Sequence, residues 1–320
     1  MHEFVCLMSI PALSANWPGR DAESLLWIAS YPRSGNTFTR ILLANYFSDD
    51  ESPYDLNKLS EFIPSDTTGR LWKSYSEEMA APSTLKRTWE ARPGFIRHCR
   101  KTLSSWAFPA LKTHTANVEV SGQRGFEFRK TDRAIYIVRH PLDVVLSYAD
   151  FNGRDTNQAV EMMTTSGLCV FTDHHGGAYE VRGSWFEHVQ SWLMAPRCPL
   201  LLIRYEELRG NTERALRDIL DFIGTPVSPD RVSRAVEASR FDNVRKQNSL
   251  HGFIEAPKTL TSGNFFRKGE ALQWLRELDP EQAYRLADSC EPIMSKLGYT
   301  HPRDVYFDGR NALQPIHLQG

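Results

Sequence analysis

Hydrophobic and polar positions follow two periods along this chain. Leu25-Leu26-Trp27-Ile28-Ala29 is an unbroken apolar run, the pattern of a strand buried on both faces. It enters the polar turn Ser30-Tyr31-Pro32-Arg33-Ser34-Gly35-Asn36-Thr37. Beyond it Phe38, Ile41, Leu42, Asn45 and Tyr46 recur at helical spacing. The pattern predicts a strand over 25–31 and a helix over 37–47. Further strands are expected over 108–114, 133–139 and 199–204, the last two apolar through their centres. Helical spacing follows Pro141 in Val144, Val145, Tyr148 and Ala149, and returns over 184–194, where Trp185, Val189, Trp192 and Leu193 share a face. Helices over 212–223, 229–238 and 280–297 are bounded by Gly224, Ser228-Pro229, Asp279-Pro280 and Gly298.

Strands alternating with helices argue for an α/β fold with a central, mostly parallel sheet flanked by helices. Residues 1–24 read as an N-terminal extension, 25–300 as a single domain and 301–320 as a C-terminal tail. The irregular stretch 48–103, with Trp72, Tyr75, Trp89 and Phe95, reads as helices and loops laid over the main body. Those aromatics suit either the core or a flat, lipophilic ligand. The glycine-rich stretch 152–183 reads as a long loop and a lid candidate.

Composition narrows the classes. At 320 residues the chain can bury a full core, and a net charge of −1 supplies no field of one sign to recruit nucleic acid or an acidic membrane surface. Five scattered cysteines without CxxC spacing suggest neither a disulfide framework nor a zinc site, so a reducing, cytoplasmic compartment is expected. No apolar run reaches the length of a membrane span. The mildly apolar segment 4–13 follows Glu3 rather than basic residues, which argues against a signal peptide.

Chemistry gathers at strand ends. Strand, tight loop and helix start aim backbone N–H groups at an anion, with Arg33 and the Ser34 and Thr37 hydroxyls beside them. The loop alone is equally a plain strand-to-helix turn. It lacks the Gly-Lys-Ser/Thr of a Walker A loop, which disfavours an ordinary ATPase or GTPase. Lys112 and His114 share one side of a strand end, a cation beside a group able to take a proton, although a lone histidine is more often structural. Arg139 ends another strand, and Ser147 lies two turns into the helix that follows; a salt bridge is the plainer role for that arginine. His140 reads as structural. Phe265-Phe266-Arg267-Lys268-Gly269 is either a phosphate clamp or a solvated basic turn.

Taken together, these segments resemble the cytosolic-type sulfotransferases that use 3′-phosphoadenosine 5′-phosphosulfate (PAPS). Tyr31-Pro32-Arg33-Ser34-Gly35-Asn36-Thr37-Phe38 is similar to that family's YPKSGTTW loop, and Lys112-Thr113-His114 to its KTH segment. The run from Tyr136 to Tyr148 resembles its YxxRNPxDxxVSxY. Gly183–Trp192 is similar to GSWFDHVxxW, Tyr205-Glu206-Glu207-Leu208 to YEDL, and Arg267-Lys268-Gly269 with Trp274 to RKGxxGDW. The six segments occur in family order.

The resemblance implies a P-loop-like single domain and a set of roles. Arg33, Ser34, Gly35, Asn36 and Thr37 would hold the 5′-phosphosulfate. Arg139, Ser147, Arg267, Lys268 and Gly269 would hold the 3′-phosphate. Phe38 and Phe241 would stack on the adenine, and Tyr205 would contact it. His114 would be the general base, with Lys112 and Arg33 stabilising charge on the transferring group. The product would be adenosine 3′,5′-bisphosphate (PAP). Sulfuryl transfer to an acidic leaving group needs positioning and electrostatics, and no metal is expected. The partner expected is a small-molecule acceptor with a phenol or alcohol hydroxyl; a carbohydrate hydroxyl, an ATP-dependent kinase of a related fold and a binding protein without turnover are the alternatives.

Five departures stand out: Arg33 for the usual lysine, Asn36 for threonine, Phe38 for tryptophan, His140 for asparagine, and Leu272-Gln273 for Gly-Asp. They point to a divergent branch, a bacterial one among those in view. Arginine keeps the charge and can bind two oxygens, but it cannot act as a proton donor.

Overall fold

The computed structural model describes residues 16–77, 84–172, 177–194, 196–260, 262, 264–308 and 312–315. Four parallel strands form its central sheet: β1 (Leu26–Ser30), β2 (Ala110–Thr113), β3 (Arg133–Val138) and β4 (Leu200–Arg204), in the order β2-β1-β3-β4. The α/β class and the parallel sheet are as expected from the apolar runs. Both faces of the central strands are buried. Trp27 and Ala29 of β1 and Ala134, Tyr136 and Val138 of β3 enter one core; Leu26, Ile28, Ile135 and Ile137 enter the other. Period-2 alternation thus feeds two apolar layers at once, which is why these strands read as continuous runs.

Helix α1 (Asn36–Phe47) and the helices Thr212–Phe222 and Pro229–Ala238 cover one face. Helices α2 (Pro141–Asn152) and α3 (Trp185–Leu193), with Leu85–Leu103 and Pro280–Cys290, cover the other. Chain order reverses direction between β1 and β3, so the loops leaving these strands diverge and open a crevice at their C-terminal ends.

Two expectations need correcting, and a third point left open by the sequence is decided. The stretch 152–183 is not one long loop: it holds the helix Thr156–Thr164 and a hairpin of Cys169–Phe171 with Tyr179–Val181. Asp155 and Gln158 form a capping box, and Ala159, Val160 and Met163 bury the helix's inner face. The expected helix over 280–297 divides at Pro292, which has no N–H to donate, into Pro280–Cys290 and Ile293–Lys296. The aromatics of 48–103 are largely core: Trp72 stacks on Phe95 at 3.9 Å, and both are buried with Trp89.

Within the expected N-terminal extension, Trp17 is buried and donates its indole N–H to the Thr131 carbonyl at 2.6 Å. Segment 4–13 lies outside the described residues. In the expected tail, Val305–Asp308 pairs antiparallel with Ala312–Pro315. Cys99, Cys169, Cys198 and Cys290 are free thiols, and Cys6 lies outside the described residues. Among the described residues no helix is long and apolar enough to cross a membrane, and no cluster of His, Cys, Asp or Glu has the makings of a metal site.

Candidate active site

A cavity of about 940 Å³ opens at the C-terminal ends of the strands, and every predicted site residue except Ser34 lines it. Ser34 is buried, and its Oγ has no hydrogen-bond partner among the described residues. Gly35 caps α1 at φ 108°, a backbone shape that L side chains rarely adopt; a Cβ there would meet the Tyr205 ring at 2.6 Å. The first-turn N–H groups of α1 have no intrahelical acceptor and open toward the cavity with Thr37 and Phe38. Asn36 turns its side chain away, donating to the Ile28 carbonyl at 2.9 Å. It braces the loop against β1 and leaves backbone to face the cavity.

Arg33 is also in the left-handed region, at φ 67°. Its guanidinium donates to Ser147 Oγ at 2.9 Å and to the Phe265 carbonyl at 3.0 Å, and lies over the Phe265 and Phe151 rings. Burial and the charge of Arg139 lower its pKa to about 10, so it stays protonated at neutral pH. Arg139 is buried, lies over the Tyr205 ring and donates to the carbonyls of Glu270 and Arg33; its Nε has no partner among the described residues. Arg33 therefore joins Arg139 and Ser147 in one cationic cluster. Unmatched Ser34 Oγ and Arg139 Nε, under helix-start N–H groups, are what an anionic phosphate ester would satisfy. The residues present fit a phosphorylated nucleotide.

Arg267 and Lys268 converge on the same region, but each is already engaged. Lys268 Nζ is 2.5 Å from Glu277 Oε1, and Arg267 is 3.7 Å from Glu277 Oε2 and donates to Gln273. Asp143 anchors the rebuilt turn before Trp274 by accepting from the Leu272 and Trp274 N–H groups. Tyr205 donates to the Gly269 carbonyl at 3.2 Å, and Phe241 packs on Gly269. His140 is structural, as expected. It accepts from Leu142 N–H, sits against the Thr300 carbonyl and stacks on Trp274, and burial lowers its pKa to about 3.

The opposite end of the cavity holds His114. Its Nδ1 is 2.8 Å from the Ser30 carbonyl, an atom that only accepts, so Nδ1 carries the proton and Nε2 keeps its lone pair. Burial, then the nearby Lys112 charge, push its pKa well below the usual imidazole value. His188 supports it from behind, donating Nε2–H to the His114 carbonyl at 3.1 Å and accepting from Tyr136 at Nδ1. Lys112, its pKa lowered by burial, stands beside two acid–base pairs: Arg40 with Glu255, and Arg182 with Glu180.

Among the cavity residues that sequence reasoning does not single out are four charged ones. Arg209 lies between the Phe38 and Phe241 rings, 4.9 and 5.6 Å from their centroids. It directly follows the Tyr205–Leu208 segment, which was its available signal. Glu180 and Arg182 come from the hairpin within 152–183, and Glu255 from a stretch with no periodicity.

A family model for the sulfotransferase domain matches residues 23–298. Sulfotransferase 2A6 of Rattus norvegicus is 28% identical over 158 residues, covering 49% of this chain and 54% of the relative. A 3-beta-hydroxysteroid sulfotransferase of Cavia porcellus is 28% identical over 206 residues, covering 61% and 67%. The match thus spans about half the length of the first of these relatives. Retinol dehydratase solved with androsterone and PAP superposes with a TM-score of 0.57 at 20% identity, over 88% of this chain and 83% of that one. This likeness establishes the shared fold.

Proposed function

The chain belongs to the sulfotransferase domain family, and from that premise we propose that it moves a sulfuryl group from PAPS to an acceptor hydroxyl, with His114 as general base. The observation that carries this reading is the His114 tautomer. Its Nδ1–H is committed to the Ser30 carbonyl, and its lone pair is on Nε2 at the cavity lined by the Gly35 loop. A lowered pKa keeps that nitrogen unprotonated at neutral pH, as a base must be.

The loop residues Ser34, Gly35, Asn36 and Thr37 would hold the 5′-phosphosulfate. Arg139 and Ser147, with Arg33, Arg267, Lys268 and Gly269, would hold the 3′-phosphate. The rings of Phe38, Phe241 and Tyr205 would border the adenine, with Arg209 in the same slot. When bound, PAPS supplies a sulfuryl group on a phosphate leaving group. Lys112 would place a cation where negative charge grows on that group, in a site where burial strengthens the interaction. His114 Nε2 takes the hydroxyl proton. His188 and Ser30 hold the imidazole so that little reorganisation is needed at the moment of transfer.

The test is transfer of radiolabelled sulfate from PAPS in the presence of EDTA, over phenols, glycosides and alcohols that include androsterone. Label on an acceptor hydroxyl supports the reading. A requirement for ATP and magnesium, with no label moved from PAPS, overturns it in favour of phosphoryl transfer.

A further inference from the structure

The relatives' names point to steroid alcohols, but the wall facing His114 has a different character. The ring systems of 48–103 that would suit a flat apolar acceptor are largely packed inside: Trp72, Trp89 and Phe95 are each no more than 3% exposed. The lining includes Ser65, Thr67, Glu180, Arg182 and Glu255 alongside the apolar Val170, Ile254, Ala256 and Pro257. Phe171 adds one half-buried ring.

The Glu180–Arg182 pair is the informative feature. Glu180 is 1% exposed and Arg182 6%. Arg182 Nε and one terminal nitrogen both reach the same carboxylate oxygen, Glu180 Oε2, at 2.7 and 2.6 Å. Its other terminal nitrogen donates to Tyr148 at 3.1 Å. Among the described residues, nothing donates to Glu180 Oε1, though Glu180 lines the cavity. A carboxylate oxygen that keeps its acceptor capacity while nearly out of solvent is matched by a hydroxyl or amine on a ligand. Hydrocarbon pressed against it would strip its remaining water with no replacement bond.

We propose that the acceptor is polyhydroxylated, sugar- or polyol-like, and that Glu180 Oε1 accepts a hydrogen bond from a hydroxyl neighbouring the one that is sulfated. This rests on the sulfotransferase reading above. Phe171 fits the C–H face of such a ring or a small aglycone. Glu180 then acts as a specificity residue, and the steroid preference named for the relatives does not carry over. A site built to hydrogen-bond a hydroxyl rejects an analogue lacking it far more strongly than an apolar pocket rejects a polar one.

A matched pair of acceptors tests this. 2-Naphthyl β-glucoside and 2-naphthol share a ring system and differ in the sugar; androsterone represents the apolar class. The expected kcat/KM for the glucoside, with sulfate found on the sugar, is about 100-fold or more above that for either apolar acceptor. Glu180→Gln should raise KM for the glucoside by about 10-fold. KM for 2-naphthol and PAP affinity by calorimetry should stay unchanged. Equal or better transfer to 2-naphthol or androsterone by the unaltered protein overturns the inference, and so does a Glu180→Gln variant whose KM shifts equally for both acceptors. Failure of the underlying reading has its own signature, no heat of binding with PAP, and takes this inference down with it.

Discussion

The two ends of the cavity meet opposite demands with the same residue types. At the cationic end Arg33, Arg139 and Arg209 donate mainly to backbone carbonyls of the segment 265–270. A carbonyl satisfies an N–H without cancelling its charge, and the carboxylates in reach of Arg33 and Arg139 (Asp150, Asp143 and Glu206) are not hydrogen-bonded to those guanidinium groups. At the histidine end Arg40 and Arg182 face carboxylates, so charge cancels in pairs, and Glu180 Oε1 keeps hydrogen-bonding capacity. A phosphate ester calls for net charge. A hydroxyl awaiting deprotonation calls for polar partners and an unprotonated imidazole. One end gathers charge and the other gathers hydrogen-bonding groups, and this division separates donor from acceptor in the proposed reaction.

The comparison breaks most visibly at His114. His114→Ala should lower turnover by about 100-fold or more with PAP affinity intact by calorimetry, because the change removes a base and no cation. Near-normal turnover would dissolve the distinction. Arg139→Ala should weaken PAP binding by about 10- to 100-fold while AMP, lacking the 3′-phosphate, is bound about as before. Equal affinities of the unaltered protein for PAP and AMP would remove the reason for the cationic end.

Arg33→Ala sharpens the boundary between the ends. Its guanidinium is on Ser147 rather than beside Lys112, so PAP affinity should fall by roughly 10-fold and kcat by less. A loss confined to kcat would move Arg33 to the histidine end. For pH, burial lowers the His114 pKa, so the imidazole stays a free base down to pH values below its usual 6.5 and protonates only beneath them. The acid limb of kcat/KM should then have its midpoint below 6.5; a midpoint near 7 contradicts the assignment. The smallest effect is expected of Glu277→Gln. Freeing Lys268 and Arg267 from their shared carboxylate should tighten PAP binding by about 2- to 5-fold, with the gain shrinking as salt rises.

The loop and its neighbours were legible because their signals are local. An apolar run, a glycine needing positive φ, a proline at a helix start and a cation one residue from a turn are all written within a dozen positions. Even the misread stretch 152–183 held a local signal in Asp155 and Gln158. The direction of Arg33 was not legible: its sequence position places it on the loop, but its backbone φ and the Phe265 carbonyl, 232 residues away, decide where the guanidinium goes.

By itself, then, the sequence determined the strands, the helix starts, the tight loop between β1 and α1 and the pairing of Lys112 with His114 on one strand side, all consequences of short-range backbone geometry. Tertiary structure alone decided the rest. Arg40 finds Glu255 across 215 residues and Arg209 slips between two rings, while the aromatics of 48–103 turn inward, away from the cavity. Side chains that distant meet only when packing closes the domain, and spacing along the chain carries no trace of it.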